Sequence, residues 1–214
     1  MEGLNLVVFK WGKKYGPEYV DRLKAGLERH LKQEFKFCVI APQEEDEPLT
    51  KIPGCFARLR AFSPEWQERH GLSGRIVCID LDVVITGSLD VLFDRPEPFV
   101  ILSGANSSNP CPVNGSLWML RSGYRPDVWS DFSIARSYEV KFDSFPDDQA
   151  WFWAKMPDFA SWACGPKSGV YAFQKPQWPK GDALPADARL VAFPGWRDPF
   201  RFTHLDWVRK HWIC

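Results

Sequence analysis

The sequence predicts an α/β fold, a single domain over residues 1–214 whose mixed, mainly parallel sheet is flanked by helices. Three observations carry that prediction. Apolar runs of strand length alternate with a helical pattern as far as Asp80. The run Ile76-Val77-Cys78-Ile79 is apolar throughout, as a strand covered on both faces must be. At 214 residues the chain can bury one sizeable core, and nothing in it reads as a linker between two.

Asn5 to Phe9 reads as the first strand, ended by Trp11-Gly12. Pro17 suits the first turn of a helix, and Val20, Leu23, Leu27 and Leu31 then recur at helical spacing. Phe35 to Ala41 is the second strand, and Pro42 with the acidic run Glu44 to Glu47 is a solvated loop. Phe56 to Phe62 is a short helix, and Arg75 to Asp80 is the third strand. Beyond it the elements shorten and Pro, Gly and Trp become dense. Phe99 to Ser103, Ser116 to Leu120, Gly169 to Phe173 and Arg189 to Phe193 read as strands. Pro126 to Tyr138, Asp147 to Met156 and a closing aromatic segment around Asp206 to Trp212 read as helices. No internal repeat is visible.

The 27 basic and 27 acidic side chains balance, which removes the positive field needed to grip a nucleic-acid backbone. The opening Met1-Glu2-Gly3 lacks the basic region of a secretory signal, and no stretch is apolar for long enough to be a transmembrane segment. Six cysteines without C-x-x-C spacing, two of them (Cys38 and Cys78) inside predicted strands, point to a reducing cytoplasm. Nine of the 11 tryptophans fall from Trp118 to Trp212. Most are expected to pack the core, and a few to floor a sugar site, where an indole face meets the C–H face of a pyranose.

Asp80-Leu81-Asp82 stands where the apolar run gives out, and ligands of α/β sheets bind where strands end. Two carboxylates beside an apolar interior need partners. One reading is a solvated strand end or helix cap; the other is a hard divalent ion, Mn²⁺ or Mg²⁺, gripped together with a diphosphate.

Several strings then fall into one order: Trp11 to Tyr15 after the first strand, Arg58-Leu59-Arg60-Ala61-Phe62, and Ile79 to Phe93 with its D-x-D followed by L-x-x-L-F. Val113 to Leu120, Pro146 to Phe152 and Phe193 to Phe200 continue it. In these pieces, which span nearly the whole chain, the sequence resembles glycosyltransferases of the GT-A, Rossmann-like fold. It is most similar to the family eight type that includes glycogenin and bacterial lipopolysaccharide galactosyltransferases. The resemblance implies a nucleotide-binding half over 1–95 and an acceptor-side half over 96–214. The implied reaction moves a hexose, with retention, from a nucleotide-sugar (a UDP-sugar) to a glycan or glycolipid acceptor. Asp80 and Asp82 would hold the Mn²⁺ or Mg²⁺ against the donor diphosphate, with Leu81 between them. Phe9, Lys10, Trp11, Gly12 and Tyr15 would line the donor pocket, and Arg58 would face the phosphates unless it is simply a helix-surface charge. Asn114-Gly115 would touch the donor sugar, although Asn-Gly is also turn chemistry. Asp148 would bind donor hydroxyls and Gln149 would sit beside the reacting face, with Asp147 capping their helix. Gly195 and Arg197 would complete the donor site.

Relatives carry a His before the F-x-G-x-x-K-P string and a Lys inside it, where this chain has Ala192 and Asp198. His204 is the candidate substitute ligand, and Arg197 the candidate substitute cation. Two other readings stay open. Asp80 to Thr86 also approaches the first motif of haloacid dehalogenase-like phosphatases, with Asp80 as nucleophile, although that motif normally ends a first strand. Ala192 also allows a catalytically degenerate nucleotide-sugar-binding module. Sugar nucleotidyltransferases fit less well, since the Gly-rich N-terminal loop they use is missing.

Overall fold

A computed structural model describes residues 3–10, 14–41, 49, 55–105 and 109–214. The expectations for Trp11, Gly12, Pro42 and the run from Glu44 to Glu47 lie outside them.

The first strand, β1 (Leu4–Phe9), leads through α1 (Pro17–His30) to β2 (Phe35–Ile40). Pro17 opens α1 at the position where its missing N–H costs nothing, Glu18 sits in the first turn, and Arg29 and His30 close the last. A 3₁₀ helix (Phe56–Phe62) and α2 (Pro64–Arg69) precede β3 (Arg75–Ile79). β4 (Val83–Ile85), α3 (Asp90–Phe93), β5 (Phe99–Ser103) and β6 (Val113–Arg121) follow. Then come α4 (Asp127–Ser130), α5 (Ile134–Ser137), α6 (Asp148–Lys155), β7 (Ala160–Ala163), β8 (Val170–Ala172) and β9 (Leu190–Ala192). A second 3₁₀ helix (Pro199–Phe202) leads to α7 (Asp206–His211).

Six strands form one sheet in the order β2-β1-β3-β6-β5-β7, and β4-β9-β8 form a smaller one. In the large sheet β1/β2, β1/β3 and β5/β7 are parallel while β3/β6 and β5/β6 are antiparallel, which is the mixed, mainly parallel arrangement expected. After β2 the chain crosses back to place β3 on the other side of β1, so strand order reverses at β1. Such a switch opens a crevice beyond the carboxyl ends of the two strands, here at Lys10 and Asp80.

Alternation along the strands divides the interior. Leu6, Val8, Val77 and Ile79 pack with α1, the small sheet and α7, whereas Val7, Phe9, Ile76 and Cys78 pack with the first 3₁₀ helix, α2 and α6. Both faces are covered, which is why β1 and β3 read as unbroken apolar runs. Each layer draws on residues from both halves of the chain.

Some elements differ from the sequence expectation. The helix expected from Pro126 to Tyr138 is two single turns, because Ser133 leaves the helical path and its Oγ accepts from Arg136 N (3.2 Å) to start α5 afresh. β6 extends three residues earlier than its apolar run. β4 and β7, too short for a period to show, and α2, opened by the Ser63 cap and Pro64, were not anticipated. The six cysteines are all free thiols, and among the described residues no helix is long and apolar enough to cross a membrane.

Phe62 ends the first 3₁₀ helix fully buried, with ring centroids 5.6 Å from Trp118, 5.6 Å from Phe152 and 5.8 Å from Phe99. Phe62→Ala is expected to cost about 3–5 kcal/mol in urea unfolding, and a loss below about 1 kcal/mol would show that this cluster does not hold the helix.

Candidate active site

The D-x-D turn is pinned between the two sheets. Asp80 N donates to Ser116 O of β6 (3.0 Å), and Asp82 O accepts from Phe193 N, just past β9 (3.1 Å). Leu81 is buried in the core. Backbone and leucine are thus fixed, and the two carboxylates remain at the crevice.

Arg58 binds this turn to the rest of the site. The 3₁₀ helix that carries it is anchored by Phe56, Leu59 and Phe62 and begins at Cys55, whose φ of 55° is a left-handed strain point for a residue with a side chain. Arg58 Nη1 donates to Asp80 Oδ1 (2.6 Å) and to Gly115 O (2.7 Å), and Nη2 lies 2.7 Å from Asp148 Oδ2. Its side chain is only 5% exposed, so it is not a helix-surface charge. Its neighbour Arg60 is half-buried and lies 4.7 Å over the Trp129 ring. Burial by itself would weaken the Arg58 proton, but Asp148 and Asp80 hold its pKa well above the ordinary value, making it a permanent cation.

Asn114-Gly115 is not a turn. Both residues lie inside β6, where its register against β5 slips between Ile101 and Leu102, and Asn114 Oδ1 accepts from Ser116 N (3.0 Å). Gly115 is required by close approach, since a Cβ there would lie 2.7 Å from Arg58 Nη2 and 3.1 Å from Asp148 Oδ2.

Asp147 caps α6 as expected, accepting from Ala150 N (2.8 Å), and its other oxygen accepts from Gln149 Nε2 (2.8 Å) and Asn109 Nδ2 (3.2 Å). Asp148, the acid expected at the donor hydroxyls, is 3% exposed and directed at Arg58. Burial pushes its carboxyl up to about 7, with Arg58 opposing and Asp147 and Asp80 adding to the rise. Gln149 remains partly exposed beside it.

Asp82 is also buried, and its Oδ2 accepts from Lys14 Nζ (2.9 Å) and Tyr15 Oη (2.7 Å). Burial and then Asp80 raise its pKa, while Lys14 and Tyr15 pull it down. Lys14, Asp82, Asp80, Arg58, Asp148 and Asp147 therefore form one connected cluster in which four carboxylates meet two cations. Lys14 belongs to the Trp11 to Tyr15 string but received no role from the sequence, where its only signal was a basic residue next to Tyr15.

The remaining predicted residues fall around this centre or away from it. Phe9 ends β1 buried and stacks on Trp66 (5.8 Å), and Lys10 N donates to Ile40 O (2.8 Å). Ala192 is buried in β9 directly opposite Val83. Asp198 accepts from Tyr19 Oη (2.7 Å) and caps the second 3₁₀ helix through Phe200 N (2.9 Å). Arg197 is turned toward Gln174 O (3.4 Å) and the Trp196 ring (5.0 Å), and the cation in contact with Asp82 is Lys14. Gly195 takes a φ of 73°, which accounts for glycine at that turn. His204 is exposed, 6.0 Å from the Phe202 ring, and among the described residues no three His, Cys, Asp or Glu side chains converge as a ready-made metal cage. The structure does not bring His204 to the aspartates.

No family model matches the chain, and no curated protein matches it in sequence. Solved structures do match. A glycosyltransferase involved in glycosylation of the major capsid of PBCV-1 superposes with a TM-score of 0.63 at 15% identity, over 94% of this chain and 98% of that one. The galactosyltransferase LgtC in complex with donor and acceptor sugar analogs gives 0.58 at 11%, over 97% and 96%. The glycosyltransferase GlyE of Streptococcus pneumoniae TIGR4 gives 0.62 at 12%, over 98% of this chain and 63% of its own. The chain has the fold of these proteins, the GT-A-like arrangement expected from its motifs.

Gly115→Ala is expected to push Arg58 from its seat and cost about 1–3 kcal/mol in chemical denaturation; no loss would contradict the close approach. The raised pKa of Asp148 means that the folded chain holds a proton which the unfolded chain, titrating near 3.8, releases earlier. That contribution to stability is full below the unfolded value and is lost as pH rises through about 7. Asp148→Asn should therefore flatten the fall of stability with pH across this window, and an unchanged slope would contradict the assignment.

Proposed function

We propose that the chain is a glycosyltransferase of the family eight type. In this reading it moves a hexose with retention from a UDP-sugar to a glycan or glycolipid acceptor in the cytoplasm, as one domain with its donor in the β1/β3 crevice. The observation that carries this is the place of Asp80 and Asp82, fixed by two sheets at the strand-order switch of a fold shared with sugar-transferring proteins.

The cluster fits a divalent ion in part. Two hard carboxylates with an excess of negative charge suit Mn²⁺ or Mg²⁺, which commonly take one or two carboxylates and complete their shell with substrate phosphates and water. Asp80 and Asp82 would hold the ion, and His204 would not. When bound, it supplies Lewis-acid stabilisation to the departing diphosphate. Arg58 keeps Asp80 oriented by a buried ionic fork, Asp148 keeps Arg58 in place, and Gln149 lies at the exposed side of the same cluster, next to where the sugar would react. Asn114 and Gly115 form the wall between them.

The degenerate binding module remains a second reading because Ala192 puts a buried methyl where relatives carry an imidazole. The phosphatase reading is disfavoured, since Asp80 Oδ1 is held at 2.6 Å by Arg58 and its strand is the third of the chain.

Asp80→Asn and Asp82→Asn, which keep the side-chain shape, should each lower donor turnover by about 10²–10³, read as nucleotide release from UDP-hexoses. Normal rates in either would end the transferase proposal. Gln149→Ala should lower turnover while leaving UDP affinity intact, and a parallel loss of both would remove its assigned role. Hydrolysis of p-nitrophenyl phosphate that disappears in Asp80→Asn would instead establish the phosphatase.

A further inference from the structure

The two aspartates meet different cations. Asp80 faces the buried, rigid fork of Arg58, which Asp148 and the Gly115 carbonyl also hold. Asp82 faces Lys14, an ammonium on a flexible stem whose side chain is 51% exposed. Lys14 Nζ nonetheless has a defined seat: 2.9 Å from Asp82 Oδ2, 2.7 Å from Tyr15 Oη and 4.5 Å from the centre of the Tyr15 ring. The Tyr15 hydroxyl donates to the same Oδ2 (2.7 Å), and burial followed by the charges of Asp82 and Asp80 raises its pKa, so it stays a proton donor. Oδ2 is therefore engaged twice, by an ammonium and by a hydroxyl.

A divalent ion on Asp82 would face this ammonium at close range, and like charges so placed repel. Ala192, a buried methyl paired with Val83, adds no ligand of its own. Lys14 can leave at small cost, since half of it is already in water; Arg58 cannot.

We propose that Lys14 is a displaceable counter-ion of Asp82: it neutralises the carboxylate before the donor arrives, competes with a divalent ion for Oδ2, and on displacement turns its charge to the incoming diphosphate. The inference rests on the donor-site reading above. Free metal is then bound weakly, and metal and nucleotide enter together.

The test is Mn²⁺ binding followed by electron paramagnetic resonance, without and with UDP. Without nucleotide, Lys14→Met should bind Mn²⁺ more tightly than the native chain, on the order of tenfold, and Lys14→Arg should restore the native value. At saturating Mn²⁺, Lys14→Met should bind UDP several-fold more weakly. Native or weaker Mn²⁺ affinity in Lys14→Met overturns the proposal. Asp82→Asn separates the two levels: if it abolishes Mn²⁺ binding while Lys14→Met changes nothing, only the role of Lys14 fails. If Mn²⁺ binding survives Asp82→Asn, the donor-site reading fails with it.

Discussion

A single buried guanidinium organises this site. Arg58 lies between Asp80 and Asp148 and caps the carbonyl of Gly115, so three distant pieces of chain converge on one planar fork. Removing one partner of such a group leaves a charge stranded away from water, at a cost of about 3–5 kcal/mol. The surrounding sequence can be understood as what the fork demands. An aromatic 3₁₀ helix delivers it, a slipped strand register turns the Gly115 carbonyl toward it, and a position without a Cβ gives it room. The aspartate that would meet the donor is held by the same interaction that holds the fold.

The second constraint is the junction of the sheets. Asp80 is hydrogen-bonded into the large sheet and Asp82 into the end of the small one, so three residues bridge both layers and their backbone cannot drift. Leu81, buried between them, ensures that the two carboxylates share the crevice. A turn built in this way presents preorganised negative charge at the crevice.

Much of this was legible in the sequence, for physical reasons. Strands covered on both faces must be apolar throughout, so β1 and β3 were visible, and the helical spacing of Val20, Leu23, Leu27 and Leu31 marked α1. The Asp147 cap followed from residue type and position. Some elements were not legible: three-residue β4 and four-residue β7 went unread, and Ser133 broke a helix that propensity alone would continue. Within the site, residue types were read correctly more often than their partners. Arg58 and Asp148 were assigned separately to the donor, yet they touch each other, and Lys14 went unnoticed because nothing local ties it to a carboxylate 68 positions away. Turn chemistry stayed open as an alternative for Asn114-Gly115 because close packing against a side chain leaves no mark beyond the glycine itself.

Ala192 and Asp198 stand where the resemblance would place an imidazole and a cation; Asp198 is used by Tyr19 and the second 3₁₀ helix, while Lys14 brings a positive charge to Asp82 from near the start of the chain. The central claim is that Asp80 and Asp82 clamp a cation against a nucleoside diphosphate, and calorimetric titration of UDP with and without Mn²⁺ tests it most directly. The account predicts binding that depends on Mn²⁺ and vanishes in Asp82→Asn. Binding of UDP that is indifferent to both the ion and the substitution would contradict it.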